Sequence, residues 1–281
     1  MAESIAEAYR ECEQITWAQA RNFAYGIRLL PAAKRCALAA VYAFARRVDD
    51  IGDGMLPASD KLDRLEQARR DVQALSSTDD LVIVALADVA KRFPVPMEAF
   101  GELIDGCVAD VRGTSYQTFD ELHHYCRCVA GSVGRLSLGI FGFSGRDEQA
   151  PQLADDLGIA LQLTNILRDI REDHQNGRVY LPADDLKKFD VAIGEARLGP
   201  QFGRLMEFEI DRARDWYATG FKLLPMLDYR SRACTGAMAG IYRTLLERIA
   251  QRPAAVLHDR VSLSGSQKAM VAVKALTGRI R

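Results

Sequence analysis

The segment Gln162-Leu-Thr-Asn165-Ile-Leu-Arg168-Asp169-Ile-Arg171-Glu172-Asp173 combines an apolar helical pattern with a line of polar side chains. The polar side chains that recur at helical spacing, and therefore share one helix face, are Gln162, Asn165, Asp169 and Asp173. The residues between them are mainly Leu and Ile, which predicts a largely buried helix. Asparagine has below-average helix propensity, so Asn165 is better explained as a ligand than as filler. Because carboxylate and amide oxygens suit Mg²⁺, the segment predicts a metal site, with Gln162 orienting the ligands.

A second segment, Tyr42-Ala-Phe-Ala-Arg46-Arg47-Val-Asp49-Asp50-Ile-Gly-Asp53, repeats this arrangement. Its shared helix face carries Tyr42, Arg46, Asp49 and Asp53, and the preceding turns are apolar. Two carboxylates four residues apart repel each other, and buried carboxylates are costly without compensation. A hard divalent cation would relieve both effects. A solvated acidic helix end is the alternative that this segment alone leaves open.

Together the two segments indicate one chemistry. Two helices that each carry Asp-x-x-x-Asp beside arginine can face each other across a cavity. Four carboxylates carry about four negative charges and a diphosphate adds about three, a total that only several divalent cations and arginines could balance. The combination suits departure of diphosphate from an allylic carbon, with metals and arginines on the leaving group and a dry apolar cavity around the carbocation.

The rest of the chain also has helical periodicity, without strand-like alternation or an Asn-Gly or Asp-Gly hairpin. We therefore expect an all-α protein, a single domain over residues 1–281 that forms one helical bundle with a central cavity. Caps are expected at Ser59-Asp60 and, as a capping box, at Thr118 to Glu121. The predicted helices cover residues 32–53, 60–74, 79–92, 97–111, 119–143, 152–173, 201–224, 230–249 and part of 264–281.

One of these helices carries Tyr125 together with a run of small residues. Tyr125, Val129 and Val133 recur at spacings of four, which predicts that the tyrosine shares the face of the two valines. Segment 130–132 and Gly134 place small residues in mid-helix, where glycine costs up to about 1 kcal/mol. Close helix packing and room for a ligand's tail are both compatible with this pattern.

Composition excludes several classes. The 37 Lys and Arg against 38 Asp and Glu give a net charge of -1, so no global field attracts nucleic acid. The six cysteines show no metal-binding spacing, which favours reduced thiols in the cytosol. The first ten residues do not resemble a signal peptide, and no segment approaches the roughly 20 apolar residues of a membrane span. We expect a cytoplasmic protein with at most a peripheral membrane contact.

Four ordered motifs resemble those of the squalene/phytoene synthases, from about residue 23 to residue 264. They are Asp49-x-x-x-Asp53, Tyr125-Cys-x-x-Val-Ala-Gly-Ser-Val-Gly134, the segment 162–173, and Gly177-Arg-Val-Tyr-Leu-Pro182. The resemblance implies a bundle of the isoprenoid synthase type. It also implies the head-to-head joining of two prenyl diphosphates through a cyclopropyl diphosphate intermediate.

The resemblance further implies the functional residues. About two to three Mg²⁺ ions would be held by Asp49, Asp53, Asn165, Asp169 and Asp173. Diphosphate oxygens would be bound by Arg21, Arg46, Arg168, Arg178 and Tyr242. The prenyl pocket would be lined by Val129, Ala130, Val133, Gly134 and Leu163, with Phe23, Tyr42 and Gln162 completing the substrate-binding set. Tyr125 matches a tyrosine proposed to assist ionisation and proton transfer, and would act with Arg46 and the four aspartates.

Segments 135–142 and 260–264 look most like those of the bacterial presqualene diphosphate synthases of hopanoid pathways, which stop at the cyclopropyl intermediate. This likeness implies farnesyl diphosphate as the substrate and enzymes of squalene formation as downstream partners. The chain lacks the Gly-x-Gly-x-x-Gly fingerprint and the membrane anchor of the longer eukaryotic squalene synthases, so no NADPH is expected. Phytoene and dehydrosqualene synthases share much of the pattern and remain alternatives.

Three other functions fit the sequence less well. Head-to-tail prenyl elongases share Asp49-Asp50-x-x-Asp53 but usually carry a second Asp-Asp-x-x-Asp, which is absent here. A di-iron carboxylate bundle needs two Glu-x-x-His motifs, and only Glu121-x-x-His124 is present. Some relatives of the squalene/phytoene synthases are non-catalytic assembly factors with eroded sites, whereas every motif aspartate is intact in this chain.

Overall fold

This computed structural model describes residues 2–20, 23–75, 79–145, 148–194 and 199–278, and these ranges contain helices but no β-strand. The all-α prediction is confirmed. The α-helices are α1 (Ala2–Gln19), α2 (Ala24–Ile27), α3 (Ala32–Asp53), α4 (Ala58–Ala74), α5 (Leu81–Arg92), α6 (Glu98–Val111), α7 (Phe119–Cys126), α8 (Ser132–Phe141), α9 (Ala150–Gln175), α10 (Ala183–Phe189), α11 (Pro200–Gly220), α12 (Tyr229–Gln251) and α13 (Gly265–Leu276). None of the described helices is long and apolar enough to cross a membrane.

The helix predicted over residues 119–143 is divided. The capping box at Thr118 is present and starts α7, as expected. A π-helical segment, Arg127–Gly131, then separates α7 from α8. A π segment holds one extra residue per turn and so changes which residues share a face.

Other predicted bounds differ by smaller amounts. α4 begins after Pro57, and neither Ser59 nor Asp60 caps it, since Ser59 Oγ instead donates to Asp60 Oδ1. α11 ends at Gly220, and the chain then forms the 3₁₀ segment Phe221–Met226. Pro225 cannot donate an α-helical hydrogen bond, so the α-helix does not extend through it. Helices α1 and α10 have no counterpart among the sequence predictions.

Two apolar cores hold the helices together, and α9 contributes to both. Buried residues of α1, α3, α5, α6 and α8 form the first core, which the first turns of α9 join. The remaining turns of α9 pack with α7, α11 and α12 in the second core. Phe44 of α3 meets Phe100 of α6 edge to face, with ring centroids 5.3 Å apart, a geometry that contributes about 0.5–1.5 kcal/mol beyond area burial.

Glycine contacts set the spacing between α9 and the segment it packs against. A methyl group added at Gly158 of α9 would lie 2.5 Å from the Ala130 carbonyl oxygen in the π segment. One added at Gly134 of α8 would lie 2.4 Å from the Ala154 carbonyl oxygen. Both neighbours are backbone atoms that cannot swing aside, so close helix packing explains the small residues of this region.

We predict that Gly158→Ala lowers the free energy of unfolding by about 1–3 kcal/mol, as expected for overpacking. Gly203→Ala is the matched control, because Gly203 is exposed on α11 and an added methyl group meets nothing within 4 Å. That control should leave stability unchanged or raise it by up to about 1 kcal/mol. Urea unfolding measures both, and equal stability of the two variants would contradict the close-packing account.

Candidate active site

Three helices end with carboxylates in the same region of the molecule. Asp49 and Asp53 lie in the last turns of α3, Asp110 near the end of α6, and Asp169 and Asp173 near the end of α9. Asp110 is close enough to influence the electrostatics of both Asp49 and Asp173. A helix C-terminus carries a partial negative charge, so these positions disfavour anionic side chains. The site therefore concentrates negative charge that other groups must offset.

Arg178 joins the two aspartate pairs. Its backbone N–H donates to the Asp173 carbonyl oxygen over 2.8 Å, which fixes the residue against the end of α9. Its guanidinium Nη1 donates to Asp53 Oδ1 over 2.8 Å, at the end of α3. The two predicted clusters therefore face each other, as the sequence indicated, and Arg178 spans the gap.

Further arginines offset the remaining aspartates. Arg46 Nη1 lies 3.1 Å from Asp49 Oδ2, and its other terminal nitrogen pairs with Asp50. Arg168 pairs with Asp169 through two hydrogen bonds.

A second cation reaches Asp169 from outside α9. Arg260 Nε lies 3.2 Å from Asp169 Oδ1, and its guanidinium is also 3.7 Å from Glu172. In the sequence, Arg260 is distinguished only as part of segment 260–264, a subfamily feature, and it was not predicted to belong to the site.

Two buried polar atoms in the site have no hydrogen-bond partner among the described residues. Asn165 Nδ2 donates to Gln162 Oε1 over 3.3 Å, but Asn165 Oδ1 is buried and unpaired. Arg46 Nε is a buried donor without an acceptor. An unmet buried polar group costs about 1–3 kcal/mol. An acceptor that lacks a donor fits a metal cation, and a donor that lacks an acceptor fits a phosphate oxygen, so the donor set present here suits Mg²⁺ and diphosphate.

The carboxylates do not form a closed metal cage. Among the described residues no three Asp, Glu, His or Cys side chains lie close enough to hold one ion together. Mg²⁺ is usually held by one or two carboxylates, with waters and substrate phosphates completing its shell. The open arrangement is of that kind.

Crowding of like charges changes the acidity of two aspartates. Burial, and then the charge of Asp53, raise the pKa of Asp49 to about 6, although 53% of its side chain is exposed toward the site opening. Burial, and then the charge of Asp169, raise the pKa of Asp173 to about 7. Both shifts mean that the site disfavours its full negative charge when no cation is bound.

Asp110 organises a cluster of aromatic side chains behind the aspartates. The Tyr125 hydroxyl donates to Asp110 Oδ2 over 2.9 Å, and the Tyr180 hydroxyl donates to Asp110 Oδ1 over 2.8 Å. The rings of Tyr125 and Tyr180 stack with centroids 5.2 Å apart, and Tyr116 packs beside them. Burial raises the pKa of Asp110 despite these two bonds and raises that of Tyr125 well above 10. Sequence reasoning missed Asp110 because a single aspartate at a helix end has no distinctive pattern.

An apolar cavity of about 260 Å³ lies next to the aspartates in the bundle, since Ala45 and Asn165 in its lining stand one helical turn before Asp49 and Asp169. Its walls come from α3, the π segment, α8, α9 and α12, and its inner end is formed by Phe141, Leu223 and Thr235. The predicted pocket residues that line it are Phe23, Tyr42, Val129, Ala130, Val133, Gly134, Gln162 and Asn165.

Two predicted site residues, the substrate residue Leu163 and the catalytic residue Tyr125, do not line this cavity. Leu163 is buried in the second core, on the far side of α9 from the cavity, because residues 158, 161, 162 and 165 form the cavity-facing stripe. Tyr125 is not among the lining residues of this cavity, although Val129 and Val133 are. It borders a separate depression with Tyr116 instead. Arg21 lies outside the described residues.

Aromatic residues form the rim between the cavity and the arginines. Phe23 stacks on Tyr242 with ring centroids 5.6 Å apart, and meets Tyr42 edge to face at 6.3 Å. Tyr242 lies beside the Arg168 guanidinium, which it influences electrostatically. The rim thus connects a charged site for an anion with an apolar space for a hydrocarbon.

Comparison with known proteins agrees with this geometry. The family model for squalene/phytoene synthase matches residues 17–267. The phytoene synthase of Mycobacterium tuberculosis is 49% identical over 98% of this chain and 93% of its own length. The 15-cis-phytoene synthase of Synechococcus elongatus is 35% identical over 92% of this chain and 88% of its own.

Solved structures show the same architecture. The crystal structure of a dehydrosqualene synthase in complex with a ligand superposes with a TM-score of 0.89 at 29% identity, covering 98% of both chains. The squalene synthase HpnC from Alicyclobacillus acidocaldarius gives a TM-score of 0.81 at 29% identity, covering 89% of this chain and 95% of that one.

We predict that, in EDTA, stability falls between about pH 4 and pH 7 and that Asp173→Asn removes part of this fall. The pKa of Asp173 is raised from 3.8 to about 7 on folding, so the folded state resists its ionisation. The penalty is absent below about pH 4 and complete above about pH 7. Urea unfolding at pH 8 should show Asp173→Asn more stable than the unsubstituted protein, with the difference vanishing near pH 4.

Glu172→Gln is the matched control, because Glu172 is an exposed carboxylate on the same helical turn. It should change the pH dependence much less than Asp173→Asn does, because the charge of Glu172 raises the pKa of Asp173 less than burial and Asp169 do. Added Mg²⁺ at pH 8 should stabilise the unsubstituted protein more than Asp173→Asn. If Asp173→Asn showed the same pH dependence as the unsubstituted protein, the crowded-charge description of the site would be wrong.

Proposed function

Because the chain belongs to the squalene/phytoene synthase family, whose members are prenyltransferases, we propose that it joins two allylic prenyl diphosphates head to head through a cyclopropyl diphosphate. The observation that carries this proposal is the cluster of carboxylates and arginines at three helix ends, opening directly onto an apolar cavity. Such a site can bind a charged head group and a hydrocarbon tail of the same molecule.

In the proposed reaction about two to three Mg²⁺ ions are held by the ligand set Asp49, Asp53, Asn165, Asp169 and Asp173. When bound, Mg²⁺ supplies positive charge that stabilises the departing diphosphate. The arginines that now pair with these aspartates would be available to donate to phosphate oxygens when the carboxylates hold Mg²⁺. Arg46 already has one buried donor, its Nε, without a partner in the described part of the chain.

The C1–O bond of the first prenyl diphosphate then breaks, and its electron pair leaves with diphosphate. The allylic cation is attacked by the double bond of the second prenyl chain, and loss of a proton from the former C1 closes the three-membered ring. The released diphosphate is the proposed proton acceptor. The cavity walls are mainly apolar. The heteroatom-bearing side chains in the lining are Tyr42, Gln162, Asn165, Met238, Ser137 and Thr235, so few groups compete with the second prenyl chain for the cation.

Tyr125 would act in this reaction as a neutral phenol. Its pKa is raised well above 10 by burial, so it is a hydrogen-bond donor and not a base at neutral pH. Asp110 orients both Tyr125 and Tyr180, and Tyr180 follows Arg178 by two residues. We therefore propose Asp110 as a positioning residue that aligns the tyrosine with the arginine bridge.

The length of the prenyl substrate is the more specific part of the proposal, and two substrates are candidates. The 49% identity to a phytoene synthase, across nearly the whole of both chains, favours condensation of geranylgeranyl diphosphate to phytoene. Segments 135–142 and 260–264 favour condensation of farnesyl diphosphate to presqualene diphosphate. We place phytoene formation first, because the similarity that supports it extends over the cavity walls as well as the motifs.

We further propose that residues 1–281 act as one domain without NADPH. The family match leaves only short segments at either end. The cavity walls come from helices as far apart in the chain as α3 and α12, so the site needs most of the chain.

We predict that the purified protein with Mg²⁺ and geranylgeranyl diphosphate, without NADPH, forms phytoene faster than it consumes farnesyl diphosphate. Product analysis by chromatography and mass spectrometry distinguishes the candidates. Presqualene diphosphate as the main product from farnesyl diphosphate, with no turnover of geranylgeranyl diphosphate, would reverse the order of the two. Diphosphate release that requires isopentenyl diphosphate as a second substrate would contradict head-to-head condensation altogether.

We predict that Asp110→Asn lowers kcat by about 10- to 100-fold with little change in KM, because the amide no longer accepts both tyrosine hydroxyls in the same geometry. Asp105→Asn is the matched control, since Asp105 is an exposed aspartate on the same helix that pairs with Arg69. It should retain full activity. Steady-state kinetics of diphosphate release measures both variants, and unchanged kcat in Asp110→Asn would remove Asp110 from the proposed mechanism.

A further inference from the structure

Large apolar side chains are exposed mainly at one end of the molecule. Among the described residues five such side chains are exposed: Phe143 (41%), Tyr229 (53%), Met270 (59%), Val273 (59%) and Met55 (101%). All except Met55 lie at the end of the bundle opposite the aspartates. We refer to Phe143, Tyr229, Met270 and Val273 as the apolar pole.

Contacts between α12 and α13 place three of these residues together. The Tyr229 hydroxyl donates to the Leu276 carbonyl oxygen over 3.0 Å, so the start of α12 meets the end of α13. Val271, Ala272 and Ala275 bury the inner face of α13. Met270 and Val273 therefore project from its outer face, beside Tyr229.

A single lysine brings Phe143 to the same pole. Lys34 Nζ lies 2.5 Å from the Phe141 carbonyl oxygen and 2.6 Å from Asp228 Oδ2. Phe143 follows Phe141 by two residues, and Tyr229 directly follows Asp228. The loop after α8 and the start of α12 are thus neighbours.

The charged side chains of α12 and α13 at the apolar pole are positive. Arg230 is exposed on α12 and Lys274 on α13, and Arg232 is half-buried nearby. Segment 260–281 contains no Asp or Glu, and the next acidic residue of α12 after Asp228 is Glu247, near its other end. Asp228 itself is neutralised by Lys34. In a chain with a net charge of -1, this is a local excess of cations.

The apolar pole also adjoins the inner end of the cavity. Phe141, Leu223 and Thr235, which form that end, lie on α8, on the 3₁₀ segment and on the first turns of α12. The same short stretches of chain therefore carry both the end of the hydrocarbon cavity and the exposed apolar side chains.

We propose that the apolar pole docks on an anionic lipid bilayer. Exposed apolar side chains flanked by Arg and Lys are typical of interfacial binding, in which the apolar atoms enter the acyl boundary and the cations meet lipid phosphates. Tyr229 suits the headgroup level, where amphipathic rings concentrate. A second protein copy would meet repulsion between the two cationic surfaces. The proposal gives a surface to the peripheral contact expected from sequence, and it does not depend on the substrate assigned above.

Vesicle co-sedimentation of the full chain tests this docking. Vesicles of equal parts phosphatidylcholine and phosphatidylglycerol should bind the protein, and vesicles of phosphatidylcholine alone should bind it much less. Joint substitution Met270→Ser and Val273→Ser should lower the partition coefficient at least about tenfold. Lys274→Ala should lower it about fivefold, which corresponds to the ~1 kcal/mol that one basic residue contributes near an anionic surface.

Met55→Ser is the control, because it removes an even more exposed methionine from a different part of the surface. It should bind anionic vesicles as the unsubstituted protein does. Equal binding to neutral and anionic vesicles, a loss of binding in Met55→Ser as large as in the double variant, or a dimer in solution that the double variant abolishes would each overturn the proposal.

Discussion

The structure depends on one electrostatic constraint, the convergence of five carboxylates on the C-terminal ends of α3, α6 and α9. Each helix end already carries a partial negative charge, so Asp49, Asp53, Asp110, Asp169 and Asp173 add like charges where they are least favourable. Burial, and then the charge of a neighbouring aspartate, raise the pKa values of Asp49 and Asp173. Arginines offset part of this charge, and divalent cations with a diphosphate would offset the rest. The carboxylates lower the stability of the folded protein. Together with bound cations they would form a site that stabilises negative charge on a leaving group.

The remainder of the fold holds these helix ends in register while leaving space beside them. α9 contributes buried residues to both apolar cores, so a shift of the helix and its carboxylates would disturb both cores. Gly158 and Gly134 allow α9 to approach the π segment and α8 to backbone contact distance. Gly134 and Gly158, which make these close contacts, also line the cavity, so close helix packing holds its walls. An apolar space with rigid walls suits the control of a reactive carbocation.

Much of the fold and half of the site could be predicted because they follow the helical period. Asp49 with Asp53, and Asn165 with Asp169 and Asp173, share faces that a spacing of three or four residues reveals directly. Asp110 and Arg260 could not be found in this way, since each reaches the site as a single residue from another segment.

The π segment after α7 was not predicted, because no residue pattern in the sequence indicates one. Leu163 was assigned by resemblance to the cavity, and three-dimensional packing turns it to the core. Chain length of the substrate escapes sequence reasoning for a similar physical reason, since it depends on cavity depth, which several distant segments set together.

The central claim is that these carboxylates hold Mg²⁺ for diphosphate departure, and Asp169→Asn tests it most directly. The substitution keeps the side-chain shape and removes one charge from the most enclosed aspartate pair, while Glu172→Gln removes an exposed charge one turn away. Mg²⁺-dependent release of diphosphate from geranylgeranyl or farnesyl diphosphate is the measurement, with thermal unfolding as the check on folding. The account predicts that Asp169→Asn lowers the rate of diphosphate release at least about 100-fold, because bound metal contributes several kcal/mol of charge stabilisation. Glu172→Gln should retain full activity. Full activity in a folded Asp169→Asn protein would contradict it.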